Sequence, residues 1–66
     1  MEARDYFNRG KKYFDTDDFD RAVEDFMKAL EIIMGPDEDG VIQEKLEEYG
    51  PQATAIFLLG LLEQNL

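Results

Sequence analysis

Two clusters of acidic side chains are the first residues in this sequence that invite a chemical reading. Asp15, Asp17 and Asp18 form one, and Asp37, Glu38 and Asp39 form the other. Paired carboxylates can do acid-base work. Here neither cluster comes with a nucleophile or a desolvating pocket, so turn and capping roles are the assignments the sequence favours. The Asp37-Glu38-Asp39-Gly40 stretch brushes against a calcium loop, but the full ligand spacing of such a loop is absent. Gly10-Lys11-Lys12 lacks the glycine-rich lead of a phosphate loop. The chain has no histidine and no cysteine. That removes the commonest general base and metal ligand, together with any disulfide or thiolate site. The expectation is a protein without catalytic residues, cofactor or metal.

Length and charge set the frame for what else it can do. The 66 residues are expected to form one small domain, with 2–34 as a helical hairpin and 38–64 as a second, closing helix pair. A core of this size usually supplies about 3–5 kcal/mol, and no staple is visible to add to it. The absence of cysteine fits a reducing compartment. The net charge of −9 is unevenly spread, because residues 1–15 carry four basic and three acidic groups and the remainder therefore sums to −10. Such a surface repels nucleic-acid phosphates and anionic headgroups, and it favours a basic partner. Residues 1–10 are charged and hold no apolar run that would read as a targeting segment. The longest apolar run, Ala55 to Leu62 counting Gly60, has eight residues, against the ~20 needed to span a bilayer.

Helical periodicity then orders the chain. Tyr6, Phe7, Gly10, Tyr13 and Phe14 predict a first helix over about 2–15. Thr16, Asp17 and Asp18 interrupt it, with Asp17 suited to a left-handed turn and Asp18 to an N-cap. The second helix is expected from Phe19 to about Met34, with Phe19, Ala22, Val23, Phe26, Ala29, Leu30 and Ile33 on one stripe. Asp20, Arg21, Glu24, Asp25, Lys28 and Glu31 form its polar face. Gly35-Pro36 ends it. A third helix over about 38–49 carries Ile42, Leu46 and Tyr49 beside Val41, Gly50-Pro51 breaks the chain again, and a fourth helix follows to about Gln64. Its Ala53, Ile56, Phe57, Gly60 and Leu61 stand at helical spacing, while Leu58, Leu59 and Leu62 spread the apolar surface around most of the circumference. A helix so widely apolar must be covered on several sides, or must present an assembly surface.

The first half has small residues, Gly10, Ala22 and Ala29, where two antiparallel helices would touch, with Tyr13 and Phe26 filling the space beside them. This pattern resembles one tetratricopeptide repeat, a helix-turn-helix unit of about 34 residues. Carrying the register forward puts Glu44 and Glu47 at core positions and Gly60 and Glu63 where an aromatic and an alanine are expected, so no second repeat follows. The fold class expected is all-α: one tetratricopeptide hairpin closed by a second helix pair, four short helices in all, in the way that solenoids end in an atypical cap.

On the first helix, Tyr6, Gly10 and Tyr13 are expected to face the second, which leaves Arg4, Phe7, Asn8, Lys11 and Phe14 on a neighbouring face. Phe7 and Phe14 would meet water there unless the third helix, or a ligand shared with it, lies over them. If the third helix presents Val41, Ile42 and Leu46 across a gap, the result is an apolar groove sized for an amphipathic helix. Core packing is the competing reading of each of these residues.

Gly10 with the paired charges after it, Asp18-Phe19, Ala29-Leu30, and then Val41-Ile42-Gln43 through Leu46 to Gly50-Pro51 and Ile56-Phe57-Leu58-Leu59 together resemble the cytosolic domain of the presequence receptor family of the mitochondrial outer-membrane import translocase. The resemblance covers residues 3–62. It implies binding of basic amphipathic targeting helices in a groove between the first and third helices, with Phe7, Val41, Ile42 and Leu46 as groove residues, at the cytosolic face of that membrane; Phe14 joins them from its place on the same face of the first helix. Lys11 and Lys12 stand where the family tends to have acidic residues, and Arg4 replaces an apolar one. The family's anchor and basic linker are not among these residues, so the resemblance implies membrane attachment only through a segment outside this sequence. The alternative is a structural or scaffolding fragment that self-associates through its apolar last helix.

Overall fold

Proline disfavours the α conformation in the residue before it, and two Gly-Pro pairs, Gly35-Pro36 and Gly50-Pro51, cut this chain at intervals of 15 residues. The computed structural model describes residues 2–66, and both glycines take nearly the same backbone conformation in it. Gly35 has φ 88° and ψ 172°, and Gly50 has φ 87° and ψ 171°. A side chain at either position would be strained there, so glycine is required. The fold is all-helical, with no strand among the described residues: α1 (Ala3–Asp15), α2 (Phe19–Met34), a 3₁₀ turn (Pro36–Glu38) and α3 (Asp39–Asn65). The separate third and fourth helices expected from the sequence form one element, α3, whose backbone leaves helical geometry at Gly50.

Between α1 and α2 the chain turns in three residues. Asp17 takes the left-handed conformation, φ 62°, which short polar side chains tolerate better than most. Asp18 caps α2 by accepting a hydrogen bond from the Arg21 N–H at 3.5 Å. The two helices run antiparallel, since their contacts pair rising numbers on one with falling numbers on the other: Phe7 with Phe26, Arg9 with Asp25, and Phe14 with Phe19. They cross at Gly10, which has no room for a side chain. A Cβ built there would lie 2.6 Å from Cε1 of Phe26 and 3.3 Å from the carbonyl oxygen of Ala22. Ala22, Phe26 and Ala29 are fully buried on the α2 side of this crossing.

The face that α1 buries differs from the expected one. Ala3, Phe7 and Gly10 are buried and Phe14 is half-buried, whereas Tyr6 and Tyr13 are only half-buried at the margin. Each tyrosine ring instead carries a cation over it, from Arg9 and Lys28 at Tyr6 and from Arg21 at Tyr13. Asp25, placed by the sequence on the polar face of α2, is 95% hidden. Its two oxygens accept from Arg9 Nε and Nη2, both at 2.9 Å. This bidentate pair joins α1 to α2, and those hydrogen bonds, followed by the Asp25 charge, push the Arg9 guanidinium further toward its protonated form.

Beyond Gly50 the buried face of α3 is Thr54, Ala55, Leu58 and Leu62, while Ile56, Phe57 and Gly60 are exposed. The expected stripe of Ala53, Ile56, Phe57, Gly60 and Leu61 is therefore rotated. Ile42 from the first segment of α3 and Leu58 and Leu62 from the second join Phe7, Phe26 and Leu30 in a single core cluster. No helix among the described residues is long and apolar enough to cross a membrane.

Replacing Gly10 by alanine is expected to destabilise the fold by about 1–3 kcal/mol in urea unfolding, because Phe26 is enclosed and cannot retreat from the added methyl group. A second outcome concerns Glu31, whose carboxyl is raised above its ordinary value by a hydrogen bond with Asp39 and by that neighbour's charge. The protonated form is thus the one the fold prefers. Its stabilising contribution is complete below the ordinary carboxylate range and is lost as pH rises through the raised value. Glu31→Gln should accordingly raise the urea midpoint at pH 7, and the advantage should shrink as pH falls and Glu31 becomes protonated.

Candidate functional site

The five residues assigned to a groove fall into three environments. Phe7 is 7% exposed and stacks at a tilt on Phe26, with ring centroids 5.8 Å apart. Ile42 is buried with it in the core. Phe14 and Leu46 are half-buried and packed against that core, with Phe14 meeting the edge of Phe19 at 5.4 Å. Only Val41, at 47%, is open to solvent. Phe7 and Ile42 are thus interior side chains and not the floor of an open groove. At the close crossing at Gly10 it is Phe7 that points at Phe26, and Tyr6 and Tyr13, expected on that face, lie half-buried at its margin.

The acidic clusters are likewise used locally, Asp17 in the turn and Asp18 as a cap. Among the described residues, no three acidic side chains converge on a position where they would hold a metal ion.

A different site emerges at the bend of α3. Val41, Lys45 and Tyr49 are four residues apart, so they lie along one side of the first segment. Ala53 and Phe57 continue the spacing beyond Gly50. In a straight helix Lys45 and Phe57 would stand about 18 Å apart along the axis. The break at Gly50 folds the segments toward each other, and the Lys45 ammonium lies 4.8 Å from the Phe57 ring centroid and 5.9 Å from that of Tyr49. Between them is an open cleft of about 230 Å³ lined by Lys45, Tyr49, Ala53, Thr54 and Phe57.

The cleft combines an apolar wall with two polar groups. Tyr49 is 62% exposed and Phe57 44%, and Ile56 stands beside Phe57 with its side chain also in solvent. Thr54 is 1% exposed, and its hydroxyl has no hydrogen-bond partner in the protein. A helical threonine can return its hydroxyl to the carbonyl four residues back. Here that residue is Gly50, which is out of helical geometry. Lys45 makes no ion pair among the described residues.

Periodicity alone places Tyr49 and Phe57 at helical spacing with buried neighbours and does not separate them from the core. The signal that marks them instead is the run of four-residue spacings from Val41 to Phe57 with a Gly-Pro pair in the middle. An apolar row interrupted in that way is folded onto itself and cannot all face one neighbour.

The helices and this cleft define the chain as an all-α protein with an aromatic-walled cleft at a helix break. No protein-family model, curated protein or solved structure matches it.

The two phenylalanines that flank the competing sites should separate them in a stability measurement. Phe7→Ala is expected to cost about 3–5 kcal/mol, comparable with the whole stability of a domain of this size, and to leave the chain largely unfolded by circular dichroism. Phe57→Ala, removing a side chain that is nearly half in water, should keep the helical signal and shift the urea midpoint only slightly.

Proposed function

We propose that this protein is a non-catalytic peptide-binding module that holds a basic amphipathic helix by its apolar face. The observation that carries the reading is the set of exposed large apolar side chains on α3, Val41, Tyr49, Ile56 and Phe57, of which Tyr49 and Phe57 line the cleft, in a chain of net charge −9. Apolar side chains at helical spacing match the anchors that an amphipathic helix presents, and an acidic field draws a basic ligand toward them. The tetratricopeptide-like spacing of the first half supports a role in recognition. The likeness of the second half to presequence receptors supports targeting helices as the ligand class. Relative to the sequence expectation the docking surface moves, from between the first and third helices to the outer side of α3, and retains Val41.

Assembly through the last helix is the weaker reading. Of Leu58, Leu59 and Leu62, the side chains that would build such an interface, Leu58 and Leu62 are enclosed in this molecule's own core and Leu59 is half-buried against it. Copies of so acidic a chain also repel one another at low salt.

Binding is expected to be weak, since few anchors are buried and ordering the peptide costs entropy. Titration of a basic amphipathic peptide into isotopically labelled protein should shift the amide signals of Val41, Tyr49 and Phe57, and added salt should weaken the effect. No shift at those residues at about 1 mM peptide, a binding free energy near −4 kcal/mol, would overturn the proposal.

A further inference from the structure

Lys45 is the only cation in the first segment of α3, where it is surrounded in sequence by Glu44, Glu47 and Glu48. Glu48 is one turn away, within reach of an ordinary surface pair. The ammonium makes no such pair and lies instead over two aromatic rings, 4.8 Å from Phe57 and 5.9 Å from Tyr49. An aromatic face carries partial negative charge and attracts a cation within about 6 Å. The two rings come from opposite sides of the Gly50 break, so the bend builds a place for one positive charge.

Resting on the peptide-binding reading above, we propose that the Tyr49–Phe57 cleft is a cation site which Lys45 fills from within the chain. A lysine or arginine of the incoming basic helix takes the site by displacing the Lys45 ammonium. Three observations support the exchange. Both rings are open to solvent, so a side chain from outside can reach them. The lysine stem is flexible and carries a strongly hydrated head, so Lys45 can swing into water without a movement of the backbone. The net charge of −9, with Asp39, Glu44, Glu47 and Glu48 on the same segment, favours an arriving cation over an anion. Lys45 therefore acts as a built-in competitor that lowers affinity for weakly basic helices.

The opposite occupant is a carboxylate, taken by the Lys45 ammonium, and one experiment distinguishes the two. The affinity of the full chain for a labelled basic amphipathic helix is measured for the unchanged protein and for Lys45→Gln, Lys12→Gln and Phe57→Ala, with the helical signal of each checked first. Removing Lys45 should tighten binding about twofold to fivefold, the range of an exposed cation–aromatic contact. The gain should disappear when the central lysine of the peptide is replaced by norleucine. Lys12 is exposed, with no ring or ion-pair contact among those observed, so its removal should produce only the smaller change due to net charge. Phe57→Ala should weaken binding. Unchanged or weaker binding by Lys45→Gln, or a gain that persists with the norleucine peptide, overturns the cation site while leaving the peptide-binding reading in place. Absence of binding by both the unchanged protein and Lys45→Gln overturns both.

Discussion

The backbone at Gly50 is the constraint on which the rest of the molecule depends. Twenty-seven residues in a straight α-helix would extend about 40 Å, well beyond the 27 Å that the molecule spans in its longest direction. A straight α3 would bury either Ile42 or the Leu58–Leu62 pair against the hairpin, but not both. Proline at position 51 makes the helical conformation unfavourable at position 50, and glycine makes the alternative accessible. The two residues together return the chain to the same core.

That return has a cost, and the site is where it shows. At the bend the Thr54 hydroxyl is buried and has no hydrogen-bond partner in the protein. The bend also brings together side chains that a straight helix would keep apart, the Lys45 ammonium and the Phe57 ring. The hairpin of α1 and α2 meets the opposite condition. Its contacts are close, with Phe26 pressed against the bare Cα of Gly10 and Asp25 paired with the fork of Arg9. A packed core resists deformation, so the hairpin is suited to hold the bend and the exposed side of α3 is suited to meet a partner.

The parts of this fold that were legible in the sequence are those governed by single residues with restricted chemistry. Asp17 in the left-handed turn, Asp18 as cap, Gly35 and Gly50 as breaks and the small residues at the helix crossing could all be read directly, because each rests on a local preference of backbone or side chain. The faces were harder. Adjacent aromatics, Tyr6 with Phe7 and Tyr13 with Phe14, satisfy the helical period in two registers 100° apart, and periodicity cannot choose between them. In the last segment the apolar residues nearly encircle the helix, so the stripe that is buried, Ala55, Leu58 and Leu62, has no signature that sets it apart from Ile56, Phe57 and Gly60.

What the sequence determined by itself, then, was that the chain is helical, where it turns, and that it is acidic and free of histidine and cysteine, since these follow from residue type and short-range geometry. Tertiary structure decided which of two neighbouring aromatics lies inside, that Asp25 is buried beside Arg9, and that Lys45 meets Phe57 across the bend. Those choices depend on how far each helix rotates about its axis when it packs. The rotation is set by the Gly10 crossing and the Gly50 turn acting on the whole molecule at once, and not by any stretch of residues read alone.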